Sequence, residues 1–81
     1  MMPFSIAAAR RTVEVTPADH PDLPLWLVNL ATSLRARYVR GGSLADLDEG
    51  VAHAERAVAA TPADHADRPT HLSNLGQMRH A

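Results

Sequence analysis

Thr16-Pro17-Ala18-Asp19-His20-Pro21-Asp22-Leu23-Pro24 returns 45 residues later as Thr61-Pro62-Ala63-Asp64-His65-Ala66-Asp67-Arg68-Pro69. Carried outward, the same offset lays residues 7–36 over residues 52–81 with 15 of 30 positions identical, too many for coincidence in a chain of 81 residues. A fixed period of this size marks stacked repeats, whose units bury their apolar faces against each other. The repeated stretch is itself a loop. A residue before proline is pushed out of the helical region, so Thr16-Pro17 and Thr61-Pro62 each end a helix. Asp22 then offers an N-cap with Pro24 in the first turn of the next helix, and Asp67 and Pro69 offer the same.

Working outward from the loops, helical periodicity fills the rest. Residues 3–15 read as a helix with Ile6, Ala9 and Val13 on one side. Residues 24–40 carry Leu27, Leu30, Ala31, Leu34 and Tyr38 at steps of three and four. Trp26 lies off that stripe and needs another surface, for which the preceding helix is the candidate. Gly41-Gly42 stops this helix, because glycine accepts the left-handed C-cap conformation. Ser43 starts the next, and Asp46 three places on makes an approximate capping box. Leu44, Leu47, Val51, Ala54 and Val58 form the stripe of that helix, with Ala57 beside it. Gly50 weakens it by up to ~1 kcal/mol relative to alanine, which makes sense where a neighbouring helix passes close. A last helix, residues 69–81, restarts the stripe with Leu72, Leu75 and Met78. The chain is thus all-α with about four helices: one complete helix pair over residues 24–60, flanked by a half-unit on each side. The ragged repeat boundaries suggest a truncated reading frame.

Composition narrows the function. The formal net charge is -1, without the basic excess of a nucleic-acid binder. There is no cysteine, which removes disulfides, thiolate zinc sites and thiol nucleophiles together. No stretch approaches the ~20 apolar residues that span a bilayer. The expectation is a cytoplasmic protein without membrane or nucleic-acid partners. Arg35, Arg37 and Arg40 cluster near Tyr38, but Asp46, Asp48 and Glu49 follow and can offset them. His20 and His65 sit among aspartates, yet neither has a second histidine nearby in sequence, so loop structure outweighs metal binding. Gly41-Gly42-Ser43 lacks the spacing and the lysine of a phosphate loop. Nothing argues for catalysis or a cofactor.

Asn29-Leu30-Ala31 and Asn74-Leu75-Gly76 resemble the Asn-Leu-Gly signature on the first helix of a tetratricopeptide repeat. Asp48-Glu49-Gly50-Val51 resembles the Asp-Glu-Ala-Ile signature on its second helix, Ala57 falls where that repeat has its second small residue, and Pro62 falls at its closing proline. The usual unit has 34 residues. Here about seven more lie around Tyr38 to Ser43 and about four in the Asp-His-Pro loop. This longer form is similar to the arrays that precede caspase-like CHAT domains. The resemblance implies an α-solenoid fragment that acts as a non-catalytic protein–protein interaction module. Its first helices would line a groove for a peptide or partner helix, with Val28, Asn29, Thr32 and Arg35 facing it, joined by Ser73, Asn74, Gln77 and His80 in the second copy. In the alternative use of Asn29 and Asn74, their side chains satisfy backbone groups of the adjacent helix. An alternative role is a structural or vestigial repeat that completes a CHAT-associated array. With Leu72, Leu75 and Met78 at one end and Ile6, Ala9 and Val13 at the other lacking covering helices, a homo-oligomer built head-to-tail through the terminal helices is also expected.

Overall fold

The computed structural model describes residues 5–80 of the chain. Its elements are α1 (Ile6–Val15), α2 (Leu23–Val39), α3 (Leu44–Ala60) and α4 (Arg68–His80), with no strand among the described residues. No helix is long and apolar enough to cross a membrane. Successive helices pack on each other, and α4 also touches α2. The first helix begins at Ile6 because Ser5 is extended and its hydroxyl accepts the Ala8 N–H at 3.0 Å. The predicted helical residues 3 and 4, and residue 81, lie outside the described residues.

The backbones of the two loops fold alike, bond for bond. The His20 N–H donates to Pro17 O at 3.0 Å and the His65 N–H to Pro62 O at 3.0 Å. The Leu23 N–H reaches His20 O, and the Arg68 N–H reaches His65 O, both at 3.1 Å. The threonines before the prolines turn their hydroxyls back onto the helix just ended, Thr16 to Thr12 O and Thr61 to Ala57 O. The sequence places a side-chain cap at Asp22, but its carboxylate makes none. Histidine takes over instead: the Asp22 N–H donates to His20 Nδ1, and the Asp67 N–H to His65 Nδ1, each at 3.0 Å. In a neutral imidazole this fixes the proton on Nε2.

Between α2 and α3 the chain turns through a Schellman motif. The Gly42 N–H donates to Arg37 O at 2.9 Å and the Gly41 N–H to Tyr38 O at 3.1 Å, with Gly41 at φ 102°. A side chain at Gly42 would collide with backbone, since a Cβ there would stand 2.7 Å from Arg37 O. The Ser43 hydroxyl makes no cap bond, contrary to the capping-box expectation. Asp46 is held by Arg37 instead, with the guanidinium Nε and NH2 donating to its carboxylate at 3.1 and 2.7 Å.

The core centres on α2. Leu27, Leu30 and Leu34 are fully buried, and each contributes about 1.5–3 kcal/mol by leaving water. They cluster with Ala9 and Val13 of α1 and Ala57 of α3, and Trp26 packs against the same cluster. A second cluster joins Ala31, Leu47, Ala54, Leu75 and Met78. Three expectations are corrected here. Leu44 is 63% exposed, because α3 turns Leu47, Gly50, Ala54 and Ala57 inward and its first residue outward. Leu72 is 46% exposed while His71 is buried, because α4 turns His71, Leu75 and Met78 inward. Finally, Ala9, Val13, Leu75 and Met78 are covered within the chain, so they are not the open stripes the sequence implies.

Two tests follow. Leu27→Ala should cost about 3 kcal/mol in urea unfolding, whereas its counterpart Leu72→Ala should cost less than about 1 kcal/mol at low protein concentration. Gly42→Ala should cost about 2 kcal/mol by overpacking against rigid backbone. Gly50→Ala meets mainly the flexible end of Met78, and the cost of displacing it should offset the gain of about 1 kcal/mol in helix propensity, leaving the urea midpoint nearly unchanged.

Candidate functional site

Because α2 and α4 touch, the residues that the repeat signature assigns to a groove lie on neighbouring helices. Val28, Asn29 and Arg35 on α2 and Asn74 on α4 are half-buried, whereas Thr32, Ser73 and Gln77 are exposed. Val28 packs against the core cluster. At Asn29 the one side-chain hydrogen bond among the described residues runs from the Ser33 hydroxyl to its main-chain carbonyl, which leaves the carboxamide uncommitted. The Nε of Arg35 is buried and has no partner among the described residues. None of these seven residues lines either of the two clefts described below.

The first cleft, about 380 Å³, has an apolar floor of Val13, Leu23 and Leu30 and walls that include Arg10, Glu14, Glu49, His53 and Arg56. Arg10 grips Glu49 in a fork, with Nε to Oε2 at 2.8 Å and NH2 to Oε1 at 2.5 Å. His53 Nε2, one turn along α3, stands 3.2 Å from the same Oε2. The fork ties α1 to α3, helices that make no backbone contact. Hydrogen bonding from Arg10, supported by His53, holds the Glu49 carboxyl below its ordinary range, and Arg37 does the same to Asp46. Each guanidinium is in turn raised by its carboxylate. Forked pairs are stronger than single hydrogen bonds, though partial exposure screens them.

The second cleft, about 420 Å³, opens at the loop end of the helices and includes His20, His65, His71, Asp22, Asp67 and Leu25 in its lining. Its histidines invite a metal or a base, and their bonds argue otherwise. His20 and His65 each spend Nδ1 on their own loop. His71 places Nδ1 3.0 Å from the Thr61 hydroxyl, whose single proton already goes to Ala57 O at 2.6 Å. The Nδ1–H of His71 is therefore the donor, and Thr61, 4% exposed, is no activated nucleophile. No group of three His, Asp or Glu among the described residues is placed to hold a metal ion. Arg68, which replaces Leu23 of the first copy, donates to Val58 O at 3.1 Å and Thr61 O at 2.7 Å and so closes the C-terminal end of α3.

Sequence spacing points to some of these roles and not to others. Arg37 and Asp46 belong to the opposed charge clusters around Gly41-Gly42, and the turn brings them together. Arg10 and Glu49 are 39 residues apart on different helices, and no local pattern relates them. The Leu23-to-Arg68 substitution within an otherwise matched loop is the visible sign of the Arg68 cap. No family model matches the chain, and neither a curated protein nor a solved structure shows significant similarity to it.

The two held-down carboxylates set an acid dependence. In the unfolded chain they bind protons more readily, so their contribution is present above the ordinary carboxylate range and is lost as pH falls through the lowered folded-state values. The melting temperature should therefore drop on acidification below about pH 5, and Asp46→Asn together with Glu49→Gln should flatten that slope.

Proposed function

We propose that this chain is a non-catalytic protein-interaction module of the tetratricopeptide type, docking a peptide or partner helix on the surface shared by α2 and α4. One observation carries the reading. The polar residues 45 positions apart that the repeat signature assigns to a groove, Asn29 and Asn74 with their neighbours Thr32, Arg35, Ser73 and Gln77, sit on helices that touch and remain half-buried or exposed. The free carboxamide of Asn29 suits a peptide backbone, which it can meet as donor and acceptor at once. Arg35, with no carboxylate partner among the described residues, suits an acidic group on the ligand. Val28 adds an apolar edge. This is the helix-lined mode of peptide recognition, in which apolar contact supplies affinity and a few polar groups set register.

A second reading is a structural repeat that completes a longer, CHAT-associated array without a ligand of its own. It is favoured by where the similarity between the copies is spent. Thr16, Pro17 and His20, and their counterparts Thr61, Pro62 and His65, bond within their own loops and helix ends, which serves architecture.

Selection from a displayed peptide library against the wild-type chain separates the two. On the interaction reading, enriched peptides are acidic, and Asn29→Ala with Arg35→Ala weakens them at least tenfold by fluorescence anisotropy while the far-ultraviolet helical signal stays unchanged. Enriched peptides that bind the double variant as well as the wild type would overturn the groove assignment, and failure to enrich any peptide would favour the structural role.

A further inference from the structure

The 45-residue correspondence extends beyond the loops and relates α4 to most of α2 and α1 to most of α3. On α2, Leu27, Ala31 and Leu34 face α3: Leu27 clusters with Ala57, and a Cβ built on Gly50 would stand 3.4 Å from Ala31 O and 3.5 Å from Leu34 Cβ. The same positions on α4 are Leu72, Gly76 and Arg79. Leu72 is 46% exposed where Leu27 is 0%, and a Cβ on Gly76 would meet nothing within 4 Å where Ala31 is 2% exposed. The face of α4 that corresponds to the α3-covered face of α2 is therefore open.

Its complement is also present and also open. The α3 face that receives α2 includes Gly50, His53 and Ala57, of which Gly50 and Ala57 are buried and His53 half-buried. Forty-five residues earlier stand Ser5, Ala8 and Thr12, all exposed, while the neighbouring Ala9 and Val13 are already used against α2. These three side chains are small, as close helix approach requires. Each molecule thus carries both halves of an interface that it has already built once inside itself.

We propose that a second copy of this chain seats its α1, through Ser5, Ala8 and Thr12, on the Leu72–Gly76 face of α4, rebuilding between molecules the α2–α3 pairing. Arg79 is the one departure, standing where α2 has Leu34. Its guanidinium is held by Glu55, and its methylene stem can still cover apolar surface. The contact is heterologous, so successive copies extend it or close it into a ring. The proposal stands on the internal correspondence and not on the groove reading, because none of its residues belongs to the proposed groove.

Sedimentation velocity on the full chain from micromolar to millimolar concentration, with two surface variants, tests it. Thr12→Arg blocks the α1 face and Leu72→Asp blocks the α4 face. Both positions are exposed, so circular dichroism should report wild-type helicity for each. The wild type should exceed dimer mass as concentration rises, and each variant alone should remain monomeric. An equimolar mixture retains one intact interface, the Thr12 face of one variant against the Leu72 face of the other, and should reach twice the monomer mass and stop. A wild type that stays monomeric, single variants that still associate, or a mixture that stays monomeric would each overturn the proposal.

Discussion

Everything in this small fold depends on one helix being enclosed. Leu27, Leu30 and Leu34 of α2 are wholly removed from water, and no single neighbour can achieve that, because a helix presents a curved apolar surface wider than one partner covers. α1, α3 and α4 all touch α2, and the loops and turns are the means of returning the chain to it. A domain of this length buries a modest fraction of its surface, so concentrating burial on one element is how it gains stability without disulfides.

Small residues make the enclosure tight. Gly50, Ala54 and Ala57 let α3 lie close to α2, and Ala9 does the same for α1. What they give up in buried area is partly offset by forked ion pairs at the margin. Arg10–Glu49 links two helices whose backbones do not meet, and Arg37–Asp46 closes the α2–α3 turn. The second pair also joins the charge clusters that make the sequence look locally basic or acidic, committing one member of each to the other.

Much of the architecture was legible in the sequence, for a definite physical reason. A repeat reports the same boundary twice, so Thr-Pro at the helix ends and proline in the opening turns carry the weight of two observations. The double glycine announces its turn through a positive φ that other residues resist. Facing was less legible. Leu44 and Leu72 fit the apolar period, yet both point to water, because a stripe of period 3.6 is wide enough to admit two rotations and only the partner selects between them. His71 is buried where its counterpart is Trp26, since the Thr61 hydroxyl gives its ring a polar partner. The seven residues assigned to a groove by resemblance lie on α2 and α4, whose contact the structure supplies, and the sequence gives no sign of the clefts at the loop edge and between α1 and α3.

The short glycine turn between α2 and α3 has a kinetic consequence. It joins the two longest helices through four residues and carries an ion pair across its mouth, so their mutual contact can grow outward from the turn, the nearest residues meeting first. Contacts of low sequence separation form early, since little loop entropy is lost in closing them. The hairpin in the middle of the molecule is therefore the element expected to form first, with the outer helices adding to it.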